Sequence, residues 1–311
     1  MAFLDAQAIS KAVIDSMAQT KDPRFLDIMT GLVKHLHAFA QEVDLRPEEW
    51  GNAIDFLTKT GQMCDDKRQE FIILSDTLGL SMLVVAMDQK RNALALQHNP
   101  PKVAPTEATV QGPFFVEAAP KMPMGSDLAA VIEHAQPAYY HGTITDTSGQ
   151  PVANCLLDVW SSDEEGFYDV QKGEAAPQQL RAQFRTGPDG NYHFWSLKPA
   201  LYPVPMDGTG GVMLRAMGRT PYRPGHMHTM LTAPGHVKLV THLFDAESEY
   251  LDSDAVFGVR ESLIVNFEQQ APGKAPDGRM LDKPWLSCAF DFCLVPQNQS
   301  GTASGAALPS H

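Results

Sequence analysis

The sequence predicts a mainly β protein, in which a mixed-topology β-sandwich follows an α-helical N-terminal domain. Helical periodicity dominates the first hundred residues, and short β-type segments separated by turns dominate the rest. The proline-bearing stretch 98–101 marks the change. We therefore expect a helical domain over residues 1–105, a β-sandwich domain over residues 106–296, and a mobile tail rich in Ser, Gly and Ala over residues 297–311.

Three helices are expected in the N-terminal part. Apolar residues between Phe25 and Val43 recur at helical spacing. Pro47, which two glutamates follow, is typical of a helix start. The apolar stretch from about Glu70 to Leu96 predicts a third helix.

Turns and strands alternate in the second part. Gly, Pro, Asp and Asn cluster at residues 146–149, 188–191, 207–208 and 233–235, which predicts turns. The segments between them are rich in β-branched and aromatic residues: 152–160, 184–195 (broken by the second turn), 226–231 and 238–244. Many short strands with frequent turns are typical of a sandwich or barrel.

The composition excludes several partners and locations. A count of 37 acidic residues against 24 Lys and Arg gives a net charge of −13, so neither nucleic acid nor an anionic membrane is expected as the main partner. The four cysteines form no C-x-x-C pair, and no signal peptide or membrane-spanning apolar run occurs. We expect reduced thiols, a cytoplasmic location and no membrane insertion.

His226 and His228 form the most informative local pattern. On a strand, side chains two residues apart point the same way, so both imidazoles can bind one metal ion. His35 and His37 have the same spacing but lie in a helical pattern, where they point apart. The pair alone leaves open a metal site or two polar residues on a solvated strand.

Four separated strings resemble the intradiol ring-cleavage dioxygenases. They are GPFF at 112–115, DVWSSDEEGFYD at 158–169, LYPVPMDG at 201–208 and YRPGHMH at 222–228. Members of this family are non-haem iron(III) enzymes that open catechol-type rings between the two hydroxyls, using O₂. The resemblance extends over nearly the whole chain, to about residue 295.

The resemblance implies a site and an assembly. It places one iron(III) ion per subunit on Tyr168, Tyr202, His226 and His228, and two anionic phenolates suit the ferric state. It implies that the substrate displaces Tyr202, which takes a proton, and that Arg223 stabilises carbanion-like charge on the ring. It also implies a homodimer joined through the N-terminal helices, with an apolar tunnel that can hold a phospholipid.

Within the family, the sequence is most similar to the hydroxyquinol 1,2-dioxygenases. The string at residues 250–259 is of that type, and His242 stands where catechol enzymes carry a glutamine near the substrate, which implies a catalytic role. The implied product is 3-hydroxy-cis,cis-muconate or maleylacetate. The implied substrate contacts are Leu80, Leu83, Gly112, Pro113, Phe114, Arg223 and Val256.

One departure keeps the substrate open. Hydroxyquinol enzymes tend to have an acidic residue shortly after the helix segment that roofs the pocket, and here Val84 and Val85 are apolar. A pocket built around a hydroxyl rejects analogues that lack it, whereas an apolar pocket discriminates weakly. Catechol, methylcatechols and chlorocatechols therefore stay alternatives.

Two functions of other classes also fit parts of the sequence. The segment 141–168 resembles the prealbumin-like β-sandwich repeats of non-catalytic binding modules, but that interpretation leaves the tyrosines and histidines unexplained. A zinc hydrolase that uses His226 and His228 would need a third ligand, for which His242 and Asp245 are candidates.

Overall fold

The computed structural model describes residues 5–65, 68–97, 100–130, 132, 136–173 and 178–297. Residues 98 and 99 of the predicted domain boundary, and residues 298–311 of the predicted tail, lie outside the described residues. The chain forms two compact units that divide after Lys59. The domain boundary near residue 105 stays a prediction.

Helices occupy the N-terminal part and one short stretch between strands. In the described residues they are α1 (Ala6–Ser16), α2 (Pro23–Glu42), α3 (Pro47–Gln62), α4 (Glu70–Thr77), α5 (Leu80–Leu96) and α6 (Thr209–Ala216). The predicted start of α3 at Pro47 is confirmed, and the start of α2 is explained by a side-chain cap. The Asp22 carboxylate accepts hydrogen bonds from the backbone N–H groups of Arg24 and Phe25, which caps α2, and α3 begins at Pro47.

The third predicted helix is wrong as a single element. It is two helices, α4 and α5, whose axes are bent by 70°. The break lies at Leu78 and Gly79, and Gly79 has φ +76°, which glycine adopts without steric cost. In the described residues no single helix suits a membrane span; the bent pair α4–α5 does so by length and composition alone.

The strands begin at Pro137. They are β1 (Pro137–Asp146), β2 (Leu156–Ser161), β3 (Arg181–Arg185), β4 (Asn191–Leu197), β5 (Tyr202–Pro203), β6 (Tyr222–Arg223), β7 (His226–Thr232), β8 (Leu239–Asp245), β9 (Ile264–Val265), β10 (Glu268–Gln270), β11 (Gly273–Lys274), β12 (Met280–Leu281), β13 (Trp285–Ala289) and β14 (Phe292–Leu294). The first predicted strand starts later than expected, because Asn154 has φ +58° and interrupts an extended backbone.

Two five-stranded sheets form the sandwich. One has the order β3-β2-β7-β8-β9, and the other has the order β10-β13-β1-β14 with β4 paired to β1. Most neighbours are antiparallel, but β1 pairs with β13 and β14, and β8 with β9, in parallel. The predicted mixed-topology sandwich with a helical N-terminal region is therefore confirmed.

The alternation of side chains along β7 separates the core from the opposite face of its sheet. Met227 and Leu231 belong to the main apolar core, together with Leu157 of β2 and Leu243 of β8. His226 and His228 therefore lie on the other face, which is also buried. This second buried face carries the polar and aromatic groups described below.

A glycine allows the second sheet to change partners. Strand β1 pairs with β13 up to His141 and with β14 from Ile144, and the chain between those two strands crosses over Gly142. A Cβ atom on Gly142 would lie 1.8 Å from the carbonyl oxygen of Phe290, which is a backbone atom that cannot rotate away. The Tyr192 hydroxyl donates to that same oxygen.

We predict that Gly142→Ala lowers the free energy of unfolding by at least about 2 kcal/mol, because the methyl group forces β1 away from the backbone at Phe290. Urea denaturation followed by circular dichroism measures this change. Gly51→Ala is the control, since no atom lies within 4 Å of the added methyl group there. An unchanged midpoint for Gly142→Ala would contradict the crossing described above.

Candidate metal centre

Four donor groups from three parts of the chain converge on the buried outer face of β7. The hydroxyl of Tyr168 lies 3.2 Å from that of Tyr202, which lies 3.4 Å from Nε2 of His226. The Nε2 atoms of His226 and His228 are 3.1 Å apart. All four side chains are almost completely buried. The structure thus brings together the four residues that the resemblance implied as iron ligands.

These spacings suit a metal ion. Donors bound at roughly 2 Å to one ion lie about 3 Å from each other, as these atoms do. Burial lowers the pKa of His226 to about 3 and that of His228 well below its usual value, so both imidazoles are neutral, which is the form that binds metals. Two phenols and two imidazoles form a donor set that suits iron.

The outer nitrogens of both imidazoles are held by hydrogen bonds. Nδ1 of His226 lies 2.7 Å from the carbonyl oxygen of Pro224, which can only accept, so Nδ1 carries the proton and Nε2 is free to bind. Nδ1 of His228 lies 2.7 Å from Nε2 of His242, whose Nδ1 lies 2.8 Å from the Thr109 hydroxyl. If the Thr109 hydroxyl accepts from Nδ1 of His242, then Nε2 of His242 accepts from Nδ1 of His228. Nε2 of His228 is then unprotonated and free to bind a metal ion.

His242 therefore lies behind His228 rather than in the cavity beside it. The imidazoles of His226, His228 and His242 form a buried cluster in which one ligand atom of each lies within 4.8 Å of the others. Nε2 of His242 nevertheless faces Nδ1 of His228, whereas Nε2 of His228 faces His226. Asp245 is paired with Lys198 at 2.9 Å.

Tyr168 is presented by a loop whose backbone is tied down by carboxylates. Asp163 accepts hydrogen bonds from the N–H groups of Glu165 and Phe167. Asp169, the next residue after Tyr168, forms a buried ion pair with Arg181. Arg181 also donates to the carbonyl oxygen of Phe114 at 3.2 Å.

Two contacts connect this loop to the other donors. The ring of Phe114 stacks on Tyr168, with centroids 4.6 Å apart. Gly166 (φ +85°) lies against Tyr202, where a Cβ would be 2.9 Å from the Cβ of that tyrosine. The position of one phenol thus restricts the position of the other.

Tyr202 and Arg223 are brought together by backbone pairing. They are direct partners in the short antiparallel ladder of β5 and β6. Nη1 of Arg223 lies 3.1 Å from Nε2 of His226. Nε of Arg223 donates a hydrogen bond to Asp254 at 3.0 Å. Burial alone would raise the pKa of Asp254, but the charge of Arg223 holds it below its usual value, so the two form a buried ion pair. Asp254 was not singled out from the sequence.

A narrow cavity of about 20 Å³ adjoins the donors, which is room for about one water molecule. Among the predicted substrate contacts, Gly112, Pro113, Phe114, Arg223 and Val256 line it, together with Tyr202. The wall on the helical side comes from Ile73 and Asp76 of α4.

Leu80 and Leu83 do not line this cavity. Their exposed fractions are 53% and 56%, and the bend at Gly79 accounts for the difference, because it directs α5 away from the line of α4.

Asp76 is the charged residue among the cavity residues that the sequence did not single out. Its side chain is almost completely buried (4% exposed), and burial raises the pKa of its carboxyl group. A hydrogen bond with Ser81 and the charge of Arg223 lower this pKa, but they offset the effect of burial only in part. Among the described residues no Lys or Arg lies within 4.0 Å of it. Asp76 is thus a buried acid without an ion-pair partner at the wall of the cavity, eight residues before the apolar Val84. The signal was an aspartate inside an otherwise apolar helical stretch.

Comparisons with known proteins agree with this geometry. Residues 110–296 match the family model described as "Dioxygenase", and residues 22–95 match "Catechol dioxygenase N terminus". The chain is 45% identical to a hydroxyquinol 1,2-dioxygenase of Nocardioides simplex, with 93% of this chain and 95% of that protein covered. It is 48% identical to a 6-chlorohydroxyquinol 1,2-dioxygenase of Cupriavidus pinatubonensis, with 94% and 98% covered.

A solved structure shows the same fold. The hydroxyquinol 1,2-dioxygenase of Pseudomonas putida DLL-E4 superposes with a TM-score of 0.80 at 41% identity, covering 94% of this chain and 99% of that chain. The converging phenols and imidazoles, the sandwich that carries them and these matches lead to one conclusion: the chain belongs to the family of intradiol ring-cleavage dioxygenases.

Proposed function

We propose that this protein opens the ring of hydroxyquinol (benzene-1,2,4-triol) between its adjacent hydroxyls, using O₂ and one iron(III) ion per subunit. The observation that carries this proposal is the pairing of two features across one cavity. Tyr168, Tyr202, His226 and His228 converge beside the cavity, of which Tyr202 is a wall. The carboxyl group of Asp76, which has no ion-pair partner among the described residues, lines the same cavity. Relatives named for hydroxyquinol at 45% and 48% identity support the same substrate.

The iron would be held by the two phenols and by Nε2 of the two imidazoles. When bound there, iron(III) would supply a Lewis acid that activates a catechol-type ring towards O₂. The protein supplies hard anionic donors that favour the ferric state, and it excludes water, since every ligand side chain is buried.

Tyr202 is the residue that gives way to substrate. The cavity is too small for an aromatic ring, and Tyr202 is one of its walls. Burial raises the pKa of Tyr202 above its ordinary value, so its oxygen would hold a proton whenever it does not bind a metal ion. A proton released by a substrate hydroxyl therefore has an acceptor at the Tyr202 oxygen.

Arg223 faces the ring as a fixed positive charge. Its guanidinium lies beside His226, and Asp254 fixes its orientation through Nε and Nη2. Negative charge that develops on the ring carbon during the attack on O₂ is stabilised by this group at no cost of reorientation.

Asp76 recognises the third hydroxyl. A buried carboxyl group without an ion-pair partner is costly, and a substrate hydroxyl that hydrogen-bonds to it removes part of that cost. Catechol and chlorocatechols offer no such group. Asp76 therefore favours hydroxyquinol over the alternatives that the apolar residues Val84 and Val85 had left open.

The assembly and location belong to the same proposal. In the first compact unit, α2 and α3 expose Leu32, Leu36, Phe39, Trp50 and Ile54, which supports a homodimer joined through the N-terminal helices. In the second unit, a cavity of about 1230 Å³ along α5 offers room for a phospholipid. All four cysteines are free thiols, which supports a cytoplasmic location.

The iron site is tested by visible spectroscopy. We expect the purified protein to show a broad phenolate-to-iron(III) band that shifts when hydroxyquinol is added without oxygen. Tyr168→Phe should lower iron content at least about tenfold and remove the band, because one anionic donor is lost. Tyr192→Phe, which removes another buried hydroxyl far from the donors, is the control. A colourless wild-type protein that takes up no iron would overturn the proposed site.

Asp76→Asn and Asp76→Ala test the substrate. We expect kcat/KM for hydroxyquinol to fall by about a hundredfold, while kcat/KM for catechol changes little, because only the triol has a group that meets this side chain. The matched control is Asp88→Asn on α5, whose carboxylate pairs with Arg91 on the surface. Equal losses for both rings would show that Asp76 is structural.

Arg223→Lys separates binding of iron from turnover. The variant keeps a positive charge but loses the fork that pairs with Asp254. We expect full iron content, an unchanged visible band in the resting enzyme, and a fall in kcat of about a hundredfold or more. Loss of iron with retained turnover per bound iron would contradict the assigned role.

A further inference from the structure

We propose that Arg219 is a positioning residue that fixes the spacing between the two walls of the substrate cavity, those that carry Asp76 and Val256. This inference rests on the proposed function and goes beyond it, since Arg219 touches neither the donors nor the cavity. The observation behind it is that one guanidinium is bonded to the residue next to each of these two cavity residues.

The first contact is with the end of α4. Nη1 of Arg219 donates to the carbonyl oxygen of Thr77, the last residue of that helix and the neighbour of Asp76. Carbonyl groups in the last turn of a helix lack partners within the helix, and Thr77 is completely buried, so its carbonyl needs a donor from elsewhere. A cation at this end is also favoured by the helix dipole.

The second contact is with the loop that contains Val256. Nη2 of Arg219 donates to the carbonyl oxygen of Ala255 at 2.9 Å. The loop is built around Asp254, whose carboxylate accepts hydrogen bonds from the N–H groups of Val256 and Gly258 and also holds Arg223. A shift of this loop would therefore move one wall of the cavity together with the support of Arg223.

An aromatic ring completes the junction. The guanidinium carbon of Arg219 lies 4.6 Å from the centre of the Phe257 ring. The same ring packs against Gly79 at the break between α4 and α5, where an added Cβ would lie 3.3 Å from it. Phe257 has φ +60°, a left-handed conformation that a bulky residue adopts only when its surroundings impose it.

The choice of arginine is explained by its shape. The guanidinium is a planar fork with two N–H groups at a fixed separation, so it joins two carbonyl groups at a defined distance. In the described part of the chain, Arg219 lies in no ion pair within 4.0 Å, so both hydrogen bonds are to these walls rather than to an acid. A lysine in its place has a single flexible ammonium group that cannot hold both carbonyls in one geometry.

The consequence concerns discrimination between rings. The hydrogen bond from the third hydroxyl to Asp76 depends on the distance between the α4 wall and the opposite wall. A misplacement by a fraction of an ångström weakens this bond, while a ring without the third hydroxyl makes no use of it. Arg219 therefore affects the preference for the triol more than it affects ring opening itself.

The test uses the full-length, iron-loaded protein and its Arg219→Lys and Arg219→Met variants. Steady-state kinetics are measured with benzene-1,2,4-triol and with catechol. We expect the ratio of the two kcat/KM values to fall about tenfold, mainly through KM for the triol, which corresponds to one weakened buried hydrogen bond. Iron content and the visible band should match those of the wild type.

Arg185→Met is the matched control, because Arg185 also donates to carbonyl oxygens, those of Asn154, at a site outside the cavity lining. Its ratio should stay at the wild-type value. Equal losses with both rings, or an unchanged ratio in both Arg219 variants, would overturn the proposal.

If the Arg219 variants fold poorly, Phe257→Leu serves instead, because this ring is half exposed and its removal weakens the same junction. The ratio should move in the same direction, and an unchanged ratio overturns the proposal. The wild-type protein tests the proposed substrate separately. If it prefers catechol, hydroxyquinol fails as the substrate, while a loss of kcat/KM confined to the triol in the Arg219 variants would still support the role of Arg219, and its absence would overturn that role.

Discussion

Both faces of strand β7 are buried, and the rest of the site follows from this constraint. One face contributes Met227 and Leu231 to the apolar core, so the other must place His226 and His228 in a region without bulk water. Buried imidazoles need polar partners from the protein itself. The partners here are Pro224 and the His242–Thr109 chain on one side, and the phenols of Tyr168 and Tyr202 on the other.

The phenols of Tyr168 and Tyr202 are held in place by residues that do not themselves face the donor site. Arg181 connects Asp169, the neighbour of Tyr168, to the backbone of Phe114, so a loop and a cavity wall are held by one buried ion pair. Gly166 leaves the space that Tyr202 fills. Backbone pairing of β5 with β6 sets Tyr202 opposite Arg223. Metal ligands from distant parts of the chain thus reach one point because rigid elements present them.

The residues around the cavity also divide into those that face the substrate and those that position them. Asp76 and Arg223 face the place of the substrate, whereas Asp254 and Arg219 act through them. The buried charge of Arg223 is compensated by Asp254, whereas Asp76 has no ion-pair partner among the described residues. A hydroxyl-bearing ring can hydrogen-bond to such a buried acid, and this property distinguishes the cavity from an apolar one.

The sequence by itself determined the sandwich, the start of α3 and the common face of His226 and His228, because these depend on local chemistry. The resemblance to the dioxygenases added Tyr168 and Tyr202 as expected donors. Side-chain alternation puts His226 and His228 on one face of any strand, and the strings around Tyr168 and Tyr202 keep their order and spacing. The tertiary structure decided what lies next to them. The bend at Gly79 replaced Leu80 and Leu83 by Ile73 and Asp76 at the cavity. Cross-strand pairing placed His242 behind His228, and long-range contacts joined Arg219 to both walls. Such neighbours are far apart in the chain, and no local pattern specifies which of them meet.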